Sequence, residues 1–119
     1  MSILIIGIAT QQEIRQRTIA IACGNLTPKE TDPKVWFTSV ESLAQVLSED
    51  NRAMIAAIRD HHPNSISALA EIVGRAQSNL TRTLKKMATY GIIELRKEGR
   101  KTIPFVIYDE IELHVPLAA

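Results

Sequence analysis

The residues in this chain best suited to chemistry lie between two glycines, in Gly74-Arg-Ala-Gln-Ser-Asn-Leu-Thr-Arg-Thr-Leu-Lys-Lys-Met-Ala-Thr-Tyr-Gly91. Arg75, Gln77, Ser78, Asn79, Thr81, Arg82, Lys85 and Lys86 supply guanidinium, amide, hydroxyl and ammonium groups, and no carboxylate interrupts them. Such a set makes and breaks no covalent bonds. It donates hydrogen bonds and neutralises anions, the side-chain chemistry that reads base edges and holds phosphates. Near the start of this stretch, Gln77, Ser78, Asn79 and Arg82 are placed to reach bases, with Asn and Gln suited to adenine and Arg to guanine. Arg75, Thr81, Lys85 and Lys86 are expected to hold phosphates and fix the register. A second basic group, Lys97, Arg100 and Lys101, follows a few residues later and would extend the same contact.

The elements that must position these groups are written in the surrounding pattern. Leu80, Leu84 and Met87 recur at i, i+4 and i+7, which predicts a helix with one apolar stripe. The preceding Ser-Ile-Ser-Ala-Leu-Ala-Glu-Ile-Val predicts a shorter helix with Ile66, Leu69, Ile72 and Val73 inward. Gly74 makes the turn between them, because it accepts positive φ without a side-chain clash. Ile92–Arg96 and Thr102–Ile107 are β-like runs joined by Lys97-Glu-Gly-Arg-Lys101, a hairpin signal. Pro104 places the second run on an edge, where no ladder donor is needed.

The rest of the chain reads as a strand-helix arm and a helical lead-in. Residues 2–9 are an apolar, isoleucine-rich run of strand length. Thr10-Gln-Gln-Glu13 is a capping box opening a helix with Ile14, Thr18, Ile21 and Ala22 on one face, closed by Gly24-Asn25. Leu26–Lys34, with two prolines and four charges, reads as a linker. Val35-Trp36-Phe37 reads as a hydrophobic anchor beside the next helix start. Thr38-Ser-Val-Glu41 is a second capping box, followed by Leu43, Val46 and Leu47. Ser48 caps a further helix carrying Met54, Ile55 and Ile58, which stops before Pro63. The tail from Tyr108 alternates Ile111, Leu113, Val115 and Leu117 with Glu112, His114 and Pro116, the pattern of a strand. That strand pairs either with the N-terminal strand or with a second subunit. The division expected is residues 1–34 as arm and linker, and 35–119 as the main domain.

Bulk properties narrow the class. Net charge is only +1, yet from Arg75 to Lys101 eight bases stand against two acids, Glu94 and Glu98, so one pole suits a polyanion. The single cysteine, Cys23, fits a reducing cytoplasm and, in an apolar helical run, reads as a small core residue. His61 and His62 are adjacent at a helix end, with no further ligand at metal spacing. No glycine-rich phosphate loop or nucleophile motif is present, so neither enzymatic activity nor a cofactor is expected. No apolar run reaches membrane-spanning length.

The run SISALAEIVGRAQSNLTRTLKKMATYGIIELRKEGRKTIPFVIYDEIEL resembles the winged helix-turn-helix of prokaryotic transcription regulators of the MarR and ArsR type. With WFTSVESLAQVLSEDNRAMIAAIRDHHP before it, the chain is similar to a group of predicted archaeal and bacterial DNA-binding regulators. The resemblance covers Trp36 to Leu117. It implies an α+β, mainly α fold: a winged helix-turn-helix with an N-terminal strand-helix arm and a C-terminal strand. It also implies a homodimer that binds duplex DNA at an inverted repeat and represses a promoter. Some members of such groups act as antitoxins, which makes a small toxin protein the alternative partner. RNA is the weaker expectation, since stacked aromatics are missing. The chain departs from the pattern at Arg75-Ala76, where a Ser or Thr often caps the recognition helix.

Overall fold

The structure, a computed structural model, describes residues 2–117. Met1, Ala118 and Ala119, at the ends of the two expected domains, lie outside the described residues. The fold is α+β. Its elements run β1 (Ile3–Ile8), α1 (Gln11–Ala22), β2 (Val35–Phe37), α2 (Val40–Val46), α3 (Glu49–His61), α4 (Ile66–Val73), α5 (Gln77–Thr89), β3 (Glu94–Glu98), β4 (Lys101–Phe105) and β5 (Glu110–His114). Among the described residues no helix is long and apolar enough to cross a membrane.

Two compact units share the chain, one built on Val46–Asp109 and the other on Ile3–Gln45 with the segment from Glu110 onward. The division therefore falls at Val46 and Asp109, not at the Leu26–Lys34 stretch. The reason is strand pairing: β2 and β5 both hydrogen-bond to β1, in the order β2-β1-β5, and draw residues 35–45 and the tail into one unit with β1.

In the sheet unit all pairing is parallel, with Gly7 beside Trp36 and Ile6 beside Leu113. Val35-Trp36-Phe37 is thus a strand, where an anchor had been expected, and the tail strand takes the intrachain partner. Leu4, Ile6 and Phe37 are buried. Gly7 is required by close approach, because a Cβ there would overlap the Trp36 ring and Pro33. The expected capping box of α1 is present, with Glu13 N–H donating to Thr10 Oγ1 and Thr10 N–H to Glu13 Oε1, both at 3.1 Å. Its inward side differs from expectation. Ile14 and Arg17 are half-buried, Arg17 lying 5.5 Å over the Trp36 ring and 3.2 Å from Asp32. Thr18, Ile21 and Ala22 are exposed, as is Cys23, which caps the helix C-terminus and is no core residue. The cap of α2 also shifts by one residue: Ser39 Oγ, not Thr38, accepts from Ser42 N–H.

The helical unit has an aliphatic core of Met54, Ile58, Ile66, Leu69, Leu80, Leu84, Met87, Ile92 and Ile93. Its local signals are simple. Ser48 caps α3 and Ser65 caps α4, each hydroxyl accepting from the backbone N–H three residues on. Gly74, at φ +70, ends α4 in the left-handed region. The antiparallel β3-β4 hairpin turns through Gly99 and Arg100, with Glu98 beside Lys101. Gly99 at φ +65 suits the first central position of a type II′ turn.

Candidate functional site

The helical unit carries a groove of about 710 Å³ lined by α5, the β3-β4 hairpin and the start of α4. Gln77, Thr81 and Lys85 line it from α5, one helical turn apart. Lys97, Arg100, Lys101 and Thr102 line it from the hairpin, and Ser65 and Ser67 from α4. Only Ile66 and Leu95 are apolar, and no carboxylate is among the lining residues. Lys97 and Thr102 face each other across the hairpin, which sets them on one side of it together with Leu95 and the buried Pro104.

The groove is positioned by the α5 stripe. Leu80 and Leu84 are fully buried and Met87 nearly so. At 100° per residue this turns Ser78, Arg82, Lys85 and Thr89 away from the core, and all four are exposed. Six of the expected site residues, Gln77, Thr81, Lys85, Lys97, Arg100 and Lys101, therefore meet in the groove. Ser78, Arg82 and Lys86 extend it along the open face of α5. Arg82, Lys85, Lys86, Lys97, Arg100 and Lys101 make no ion pair among the described residues.

Arg75 and Asn79 do not join that free set. Arg75 is half-buried and braces α5 against α3: its Nη1 donates to Asn51 Oδ1 at 2.9 Å, and its Nη2 and Nε donate to Asn79 Oδ1 at 2.7 and 3.2 Å. A longer bond of 3.4 Å reaches Thr83 Oγ1. Asn51 is itself held to α2, its Nδ2 donating to the Val46 carbonyl at 3.0 Å. Arg75 is thus a brace, where a phosphate ligand had been expected. Asn79, with its carbonyl occupied, keeps only N–H donors for an outside group, so the bidentate pairing with adenine, which needs that carbonyl, is closed to it.

Thr81 bends its hydroxyl back to the Gln77 carbonyl at 2.9 Å, leaving its oxygen lone pairs outward. The first turn of α5 has no side-chain cap: Ala76 occupies the position and makes no such bond. Its leading N–H groups are left for solvent or an anion. On the far side of the hairpin, Arg96 is spent. It donates to Glu94 Oε1 at 2.6 Å and stacks 4.1 Å from the Phe105 ring centre. The hydrogen bond from Arg96, aided by its charge, holds the Glu94 carboxyl below the usual range, so that acid stays ionised, paired and out of the groove. Ser65, Ser67 and Thr102 are lining residues that sequence pattern did not single out. Of the two serines, Ser65 caps α4.

Chemically the site is a donor-rich, acid-free trough, unlike the mostly apolar clefts that hold small molecules. Fold and groove together define an α+β protein with a cationic groove between a helix and a hairpin. The chain belongs to the HVO_A0114 family, whose model matches residues 46–113 and so takes in the whole helical unit. Comparison with curated proteins gives no match.

Proposed function

We propose that this chain is a sequence-specific double-stranded DNA-binding regulator of transcription, acting in the cytoplasm as a homodimeric repressor. On this reading α4, Gly74 and α5 are a helix-turn-helix, and β3-β4 is its wing. The observation that carries it is the acid-free groove in which Gln77, Thr81 and Lys85 of one helix meet Lys97, Arg100 and Lys101 of one hairpin. The helix has 13 residues, about 20 Å at 1.5 Å per residue, a length that lies along a major groove. The wing cations then follow the neighbouring phosphates. Gln77, Ser78 and Arg82 face bases, while Thr81, Lys85 and Lys86 hold the backbone. The role is binding, with no catalytic step.

The test is selection of duplexes from a random pool, followed by affinity measurement on the winners at two salt concentrations. A selected motif bound with steeply salt-dependent affinity supports the proposal. Recovery of no motif, with flat and weak binding, overturns it. A second reading, an antitoxin that covers a small toxin protein, is favoured by one observation: Ile19 and Ile21 of α1 are 54% and 38% exposed, an uncovered apolar pair on the sheet unit. Co-expression with the neighbouring gene product and measurement of the complex mass separates the two roles.

A further inference from the structure

The sheet unit has two edges of different character. β2 is three residues long and follows Pro33 and Lys34, and such short, proline- and lysine-flanked strands resist further pairing. β5 is five residues long, with neither proline nor lysine inside it, and pairs only through β1. Its side chains are open: Glu112 is 52% and His114 43% exposed, and Leu113 and the following Val115 are 40% and 42% exposed. A three-stranded, all-parallel sheet with one such edge is smaller than the usual range of about four to six strands.

We propose that β5 pairs antiparallel with β5 of a second copy of this chain, about a two-fold axis at Leu113, to give one six-stranded sheet. The register follows from charge and shape. A two-fold axis perpendicular to the sheet keeps each side chain on its own face and makes the contact self-complementary. Centring on Glu112 sets two carboxylates opposite each other, and centring on Ile111 sets Glu110 against Glu112. Like charges directly opposite destabilise a sheet. Centring on Leu113 removes both clashes. Each Glu112 then faces His114 of the second copy, and vice versa. Within one chain Glu112 Oε1 already lies 3.2 Å from His114 Nε2, so the four groups form a ring alternating acid and imidazole. On the other face Leu113 meets its own copy, and each Ile111 meets a Val115, which covers the apolar side chains that one chain leaves in solvent. Other registers place an acid or proline against these residues, or oppose the two His114 rings. The inference deepens the homodimer of the proposed function, on which it rests, and uses only the sheet unit, so it is tested without DNA.

The experiment uses the full chain without DNA. In a Cys23→Ser background, which removes the exposed native thiol, Leu113→Cys is oxidised and its mass measured. In parallel, Ile111→Cys and Val115→Cys chains are oxidised singly and mixed. Light scattering of the unmodified chain is expected to give twice the 13.2 kDa of one chain. Leu113→Cys is expected to cross-link to itself. Ile111→Cys and Val115→Cys are expected to cross-link when mixed and not alone. Leu113→Lys sets two ammonium groups across the axis and is expected to weaken self-association by at least about tenfold, with the helical content of the chain unchanged. A monomer at every concentration overturns the proposal and leaves the edge to a strand of another protein. A dimer in which Leu113→Cys fails to cross-link, or the mixed pair behaves like the single variants, overturns it equally. Loss of DNA binding with the cross-links intact would fault the DNA reading alone.

Discussion

Replacing Arg75 by methionine separates a brace from a ligand. The structure spends its guanidinium on Asn51, Asn79 and Thr83, at 2.9, 2.7 and 3.4 Å. Methionine keeps much of the aliphatic stem and loses every donor. Hydrogen bonds to a charged group contribute about 1.5–3 kcal/mol where buried, and partial exposure of this network reduces that to a total of about 1–2 kcal/mol. For a unit of this size each kcal/mol moves the thermal midpoint by roughly 4–8 °C. Circular dichroism melting of Arg75→Met should therefore show a clear fall. In the same variant, the slope of log affinity for duplex DNA against log salt should stay as in the parent, because no phosphate contact is lost. A phosphate-binding arginine behaves in the opposite way: its removal lowers that slope by about 0.9 and leaves the melt nearly unchanged. A full-strength melt with a reduced slope would refute the bracing role. The variant carries a second signature in base choice. Released from Arg75, the Asn79 carbonyl is free to accept while its amide N–H donates, so adenine becomes a partner. In the parent, only acceptor atoms such as guanine N7 and O6 suit it.

Three further outcomes follow. Lys101→Ala, at the start of β4 beside the hairpin turn, should weaken all duplexes alike and lower the salt slope by about one, as read by fluorescence anisotropy at several salt concentrations; a sequence-dependent loss would contradict its place on the backbone. Arg82→Ala should instead flatten base preference at one position, with about 1–3 kcal/mol of discrimination lost, measured by repeating the duplex selection. In α1, the Thr10 backbone N–H, aided by the Thr10 hydroxyl, holds the Glu13 carboxyl below its ordinary range. Its stabilising bond is thus present above the carboxylate range of the unfolded chain and is lost as pH falls through the lowered value. The protection of the first-turn amides of α1 relative to their intrinsic exchange rates should fall on acidification in the parent, and Glu13→Gln should remove most of that dependence.

How far the sequence carries can be argued from particular residues. Caps and turns were legible because their chemistry is local. Thr10, Ser48 and Ser65 each reach a backbone N–H three residues away, and Gly74 and Gly99 take the positive φ that their turns require. The Leu80, Leu84 and Met87 stripe was legible because a helix repeats every 3.6 residues. The sheet unit was legible only in part: its first and last strands and the α1 capping box were read, but β2 and the parallel pairing were not. Three residues of β2 are too few to show a two-residue period, and parallel pairing joins segments far apart in sequence. The inward face of α1 misled because an arginine, not an aliphatic residue, packs there, its guanidinium held over Trp36 and beside Asp32. Arg75 misled for a related reason. Its partner Asn51 is 24 residues earlier, and a basic residue beside a basic helix looks like one more surface charge.

Which cations matter is settled by surroundings more than by pairing. Arg17, Arg59 and Arg96 each lie within 3.2 Å of a carboxylate, at Asp32, Asp109 and Glu94, so their charge is met within the chain. An unpaired base is still no site in itself. Arg52 makes no ion pair either, but it follows Glu49 and Asp50 on the same helix, and over a Debye length of about 8 Å at physiological salt their fields largely cancel. In the groove the cancellation is only partial. Lys85, Lys97, Arg100 and Lys101 line one trough with hydroxyls and an amide; of the two hairpin acids, Glu94 is paired with Arg96 on the other face, and Glu98, opposite Lys101, offsets one of the four cations. Holding like charges together costs the free protein some repulsion, which a bound polyanion relieves. Reversing that arrangement tests the point. Thr102→Glu places a carboxylate beside Lys97 in the groove without touching the core, and it should reduce duplex affinity more than loss of any single lysine, because it repels phosphate as well as neutralising a cation. An equal or smaller effect would mean that the groove does not face the nucleic acid.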